Sequence, residues 1–99
     1  MSEQELNELK LKIAPVALQY GVESVYLFGS RARGDADENS DYDLFIHKGA
    51  LHSFYQLVGL EQDLEKILGK KVDVITNGIK NTRLLNSIDR DKVLVYESR

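Results

Sequence analysis

The sequence predicts an α/β fold, in finer terms α+β: a small mixed β-sheet with helices packed on one face. Three observations predict it. Short apolar, strand-like runs alternate with longer stretches whose apolar residues recur at helical spacing. Glycines and polar turn formers stand at the junctions. The chain has 99 residues, which suits a single domain over 1–99 built on one core.

The elements follow in order. Ser2 to Tyr20 reads as a helix, because Ser2 with Glu5 gives a capping-box pattern and Leu6, Leu9, Ile13, Val16 and Ala17 recur at helical spacing. Pro15 lacks an N–H and crowds the preceding turn, so a kink or two helical pieces are expected there. Gly21 is placed to cap the end. Glu23 to Phe28 is a strand, Ser30 to Gly34 a short helix and Asp35 to Ser40 a loop of turn formers. Asp41 to Ile46 is the second strand, broken by Gly49. Ser53 to Leu68 is a long helix, with Phe54, Leu57, Val58, Leu64, Ile67 and Leu68 in its apolar stripe, Glu61 and Glu65 among its charges, and Gly69 at its end. Lys71 to Thr76 is the third strand, with Val72 and Val74 on one face and Asp73 on the other. Asn77-Gly78 turns the chain, Asn81 to Ile88 forms a short helix, and Val93 to Tyr96 is the last strand. The helices are expected to cover one face of the sheet and to leave the carboxylate face open.

Composition narrows the function classes. A net charge of −3 offers no broad basic surface for nucleic acid. With no cysteine, disulfides and thiolate metal sites are excluded. No apolar run approaches the ~20 residues of a membrane-spanning helix, and the polar start MSEQELNELK is unlike a signal peptide, so a cytoplasmic location is expected.

The chemistry is expected between Val25 and Ile46. An apolar strand runs into Gly29-Ser30, and a charged connector leads to Asp41-Tyr42-Asp43. Asp41 and Asp43, two apart on a strand, point to one face. Asp73 joins them if the second and third strands are neighbours. Three carboxylates brought together repel, and a divalent cation resolves the conflict. An all-oxygen donor set suits Mg²⁺ or Mn²⁺, and magnesium prefers one or two carboxylates plus phosphate oxygens and water. Gly29 lets backbone approach a ligand closely, backbone N–H groups after the turn attract phosphate, and Ser30 adds a hydroxyl. Two ions about 3.5–4 Å apart would clamp the attacking and leaving oxygens of a phosphoryl-type transfer. Asp73 would take the acceptor's proton, directly or through a metal.

Gly29-Ser30, ten intervening residues and then Asp41-Tyr42-Asp43 resembles the signature of the DNA polymerase β-like nucleotidyltransferase superfamily. The fuller string FGSRARGDADENSDYDL is similar to its minimal nucleotidyltransferase branch. The resemblance implies that fold, with Asp41 and Asp43 binding both Mg²⁺ ions, Asp73 as third carboxylate, and Gly29 and Ser30 on the phosphates. It also implies an antitoxin that transfers AMP from ATP to a tyrosine of a HEPN-type RNase toxin, as part of a hetero-oligomer. The helical substrate domain of larger members is not recognisable, so the acceptor is expected on a partner chain.

Each residue also has a structural use. Asp41 and Asp43 could be a solvated strand face, Asp73 one more alternating strand residue, and Ser30 a helix cap. Arg31 and Arg33 fit phosphates, acidic groups of a partner or nearby aspartates; Arg33 is taken as a nucleotide contact. The tyrosines, Tyr42 among them, are read as core or rim aromatics, with Tyr42 also a candidate for the border of the site. Two other functions compete: an antitoxin that masks its toxin without catalysis, and a nucleotidyltransferase acting on a small molecule.

Overall fold

The computed structural model describes residues 1–98. Its elements are α1 (Glu3–Tyr20), β1 (Ser24–Phe28), α2 (Gly29–Arg33), β2 (Tyr42–His47), α3 (Phe54–Leu68), β3 (Val72–Thr76), α4 (Thr82–Asp91) and β4 (Val93–Glu97). The four strands form one sheet in the order β3-β2-β1-β4. The sheet is mixed: β1 runs antiparallel to β2 and β4, while β2 and β3 are parallel. A parallel pair needs a crossover, and α3 supplies it.

Period-2 alternation divides the sheet into two faces. Val25 and Leu27 of β1, Leu44 and Ile46 of β2, Val72 of β3 and Val95 of β4 join Leu9, Ile13, Leu60 and Leu64 in the main core, under α1 and α3. Ile13, Leu27, Leu44, Ile46 and Leu60 are completely buried, each worth about 1.5–3 kcal/mol of hydrophobic stabilisation. The opposite face carries Phe28, Phe45 and Ile75, which pack with Leu84, Leu85 and Ile88 of α4. The expectation that this face is open is corrected: α4 covers part of it, because three large apolar side chains there have to leave water.

Helix ends follow the expected chemistry. The Ser2 hydroxyl accepts the Glu5 N–H at 3.1 Å, and Ser53 with Gln56 closes a full capping box at α3. Pro15 does not split α1; the helix runs continuously through it. Leu11, whose carbonyl loses its helical partner to Pro15, is 75% exposed, so water is at hand to replace the bond. In α3, Leu60 and Leu64 form the buried stripe, whereas Phe54 and Ile67 are exposed. Helix α4 extends three residues past the expected Ile88.

Candidate active site

β1 ends at Phe28, whose partner across the antiparallel ladder is Asp43. The next residue, Gly29, has φ +76°, a left-handed conformation that favours glycine. A Cβ on Gly29 would collide with Asp43 Oδ2. Conformation and space both demand glycine here, and the Gly29-Ser30 turn is thereby held directly against the Asp43 carboxylate.

Asp43 is in register with Asp73 across the parallel β2–β3 ladder. In-register residues of adjacent strands send their side chains to the same face, about 5 Å apart. Asp41 lies one residue before β2, which opens at Tyr42 rather than at the expected Asp41. Its charge still reaches Asp43. The Asp43 carboxyl is held above the usual carboxylate range by burial first, then by the negative charges of Asp73 and Asp41; Arg33 pulls the other way. The charges of the other two predicted aspartates therefore both bear on Asp43.

The two arginines differ. Arg33 donates to Asp35 at 3.0 Å and to Asp91 at 3.1 Å, tying α2 to the following loop and to α4. Arg31 donates to the Ser40 and Asp41 carbonyls and lies 4.1 Å above the Tyr42 ring, so it fastens the connector that delivers Asp41. Tyr42 packs against the main core, on the face away from Asp43. The expectation that it borders the site is thus corrected by strand alternation: a residue between two same-face aspartates must point to the other face.

A cleft of about 410 Å³ opens beside the aspartates. Asp43, Asp73 and Glu61 line it together with the apolar Phe28, Val74, Ile75 and Leu84. Sequence alone places Glu61 only on the charged side of α3. Its carboxyl is raised above the usual range by burial, then by the charges of Glu65 and Asp73, with Lys71 opposing. A somewhat larger hollow, about 460 Å³, lies between the start of α1 and the loop after α2. It touches none of the three aspartates, so size alone does not locate the chemistry.

A family model described as polymerase beta, nucleotidyltransferase, matches residues 11–99. The chain belongs to the polymerase β nucleotidyltransferase family. A Methanocaldococcus jannaschii relative, provisionally named a protein adenylyltransferase, is 45% identical over 71 residues, covering 72% of this chain and 76% of the relative. The Thermococcus cleftensis protein adenylyltransferase MntA is 31% identical over 77 residues, 78% of each chain. The nucleotidyltransferase fold recurs in the solved complex of tri-AMPylated Shewanella oneidensis HEPN toxin with its MNT antitoxin. The TM-score is 0.66 at 18% identity, over 98% of this chain and 74% of that one, a likeness of fold. The chain is thus a nucleotidyltransferase of the protein adenylyltransferase group.

The donor set of this nucleotidyltransferase suits magnesium. Among the described residues no three acidic or histidine side chains close up as a complete metal centre. Magnesium does not require one, since it is held by one or two carboxylates with phosphate oxygens and water completing its shell. The negative charges of Asp73 and Asp41 that bear on Asp43 are ones a cation would help neutralise. Among the described residues no helix is long and apolar enough to cross a membrane.

Proposed function

We propose that this protein transfers AMP from ATP to a HEPN-type RNase toxin and so acts as that toxin's antitoxin. The observation that supports this reading most is the in-register Asp43–Asp73 pair pressed against the Gly29 turn. It sets two carboxylates beside a backbone bend whose conformation favours glycine.

Asp41 and Asp43 would hold two magnesium ions, with Asp73 as the third carboxylate. Bound there, magnesium supplies charge neutralisation for the triphosphate and the departing pyrophosphate. The Gly29 and Ser30 backbone and the Ser30 hydroxyl receive the β and γ phosphates. Arg33 adds positive charge on the nucleotide side, tied meanwhile to Asp35 and Asp91. The acceptor oxygen forms a bond to the α-phosphorus, the bond from that phosphorus to the bridging oxygen breaks, and pyrophosphate leaves. The acceptor's proton passes to Asp73. In the relatives' solved complex the AMP is on the HEPN toxin, and the open cleft here accommodates an acceptor carried on another chain.

The test mixes the protein with ATP labelled in its adenine moiety, Mg²⁺ and a HEPN-type toxin, the one encoded beside it if the neighbouring gene is of that type. Label is expected on the toxin with wild type and is lost with Asp41→Asn, with Asp43→Asn or on chelation, returning when Mg²⁺ is restored. Toxin neutralised equally well by both variants, with no label ever transferred, overturns the reading in favour of masking.

A further inference from the structure

Across the sheet the site's groups fall in a line. The Gly29 turn follows β1, Asp43 stands on β2, Asp73 on the edge strand β3, and α3 flanks that edge. The nucleotide's phosphates belong at the Gly29 end. The acceptor must then approach the α-phosphorus from the other end, where β3 and α3 meet.

Two glutamates one helical turn apart on α3 stand at that end, and they are used differently. Glu65 accepts the Val72 N–H at 3.0 Å. In the parallel ladder the neighbouring residues, Lys71 and Asp73, face β2, so the Val72 N–H points outward and Glu65 caps an otherwise open sheet edge. Glu61 is not engaged in this way. Among the described residues it forms no ion pair and no side-chain hydrogen bond. It lines the cleft together with Asp43 and Asp73 and with Phe28, Ile75 and Leu84.

We infer that Glu61 is an acceptor-positioning residue: its carboxylate accepts a hydrogen bond from the incoming hydroxyl and aims that oxygen at the α-phosphorus. The apolar residues of the cleft, Phe28, Ile75 and Leu84, hold the carbon skeleton of the acceptor side chain, and Glu61 holds its hydroxyl. The bond changes are those of AMP transfer given above: the O–H points to Glu61 as the acceptor docks, and its proton passes to Asp73 as the bond to the α-phosphorus forms. The inference rests on that transfer taking place.

The experiment compares Glu61→Gln, Glu61→Asp and Glu65→Gln with wild type, using the full chain, Mg·ATP and the HEPN toxin. For Glu61→Gln the expected result is a kcat for AMP transfer lower by about tenfold or more, the size of loss that misaimed reactants produce. Binding of a fluorescent ATP analogue should stay within about twofold, because no nucleotide contact is touched. Glu61→Asp keeps the charge and should recover part of the loss. Glu65→Gln should lower Tm and leave kcat nearly unchanged. A Glu61→Gln protein that is folded and transfers AMP as fast as wild type overturns the inference, and so does parallel loss of nucleotide binding and kcat. Absence of transfer by wild type itself would instead sink the function proposed above.

Discussion

The two faces of β2 are one residue apart and have opposite uses. Leu44 and Ile46 point into the main core under α1 and α3 and are completely buried. Asp43 and Phe45 point the other way, the first into a cleft and the second under α4. On the sealed face every side chain adds burial. On the cleft face burial of a carboxyl next to two others raises its proton affinity, which is a cost in folding. A strand six residues long thus carries stability on one side and chemistry on the other, because its side-chain period is two.

The largest expected effect comes from breaking the sealed face. Ile46→Ala removes a completely buried side chain and should cost about 2–5 kcal/mol, since the packed surroundings relax only partly into the gap. That is a large share of the roughly 5–15 kcal/mol that holds a domain folded. Denaturant titration measures the loss, and AMP transfer per folded molecule should change little. A variant that keeps its stability and loses transfer would show that the division between the faces is false.

The sealed face is also the more legible in the sequence. Val25, Leu27, Leu44, Ile46 and Val72 alternate with other residues, and alternation alone assigns them to one side. The second face is harder. Phe28, Phe45 and Ile75 alternate just as regularly, but only the path of α4 decides whether they are covered, and no local pattern encodes that path. In the site, Asp43, Asp73 and Gly29 are legible because spacing and turn chemistry are local. Glu61 is not, since a glutamate on a helix bordering an edge strand looks like any solvated charge until the strand order is known. Arg33 stands out for its charge, yet its partner Asp91 lies far along the chain and nothing in the sequence pairs the two.

A second, smaller effect sharpens the comparison by using two glycines with similar backbones. Gly29 and Gly34 both have positive φ, +76° and +86°. Alanine at either position should cost about 1–2 kcal/mol for the left-handed backbone. The two differ in what a Cβ would meet: Asp43 Oδ2 in direct collision for Gly29, and nothing within 4 Å for Gly34. Gly29→Ala should therefore displace the Asp43 carboxyl and abolish AMP transfer, while Gly34→Ala lowers Tm to a similar degree and keeps transfer. Equal activity in the two variants would mean that the glycine turn is needed for its shape alone.

The smallest effect concerns pH, and it asks whether the cleft face really carries a folding cost. Asp43 is raised above the ordinary aspartate value of 3.8. Between that value and its raised one, the folded chain keeps a proton that the unfolded chain has released, so stability falls as pH rises through this window. Below the ordinary value both states are protonated and the difference is gone. Above the raised value the penalty is complete. In metal-free buffer Asp43→Asn removes the charge and should raise Tm at neutral pH, with the gain shrinking as pH falls through the carboxylate range. Thermal melts at a series of pH values measure this. Added Mg²⁺ should then stabilise wild type more than the variant, because a ligand that binds only the folded state shifts folding by mass action. If Asp43→Asn melts lower than wild type at neutral pH without metal, the carboxylate has a stabilising partner in the fold, and the two faces of β2 are less distinct than their side chains suggest.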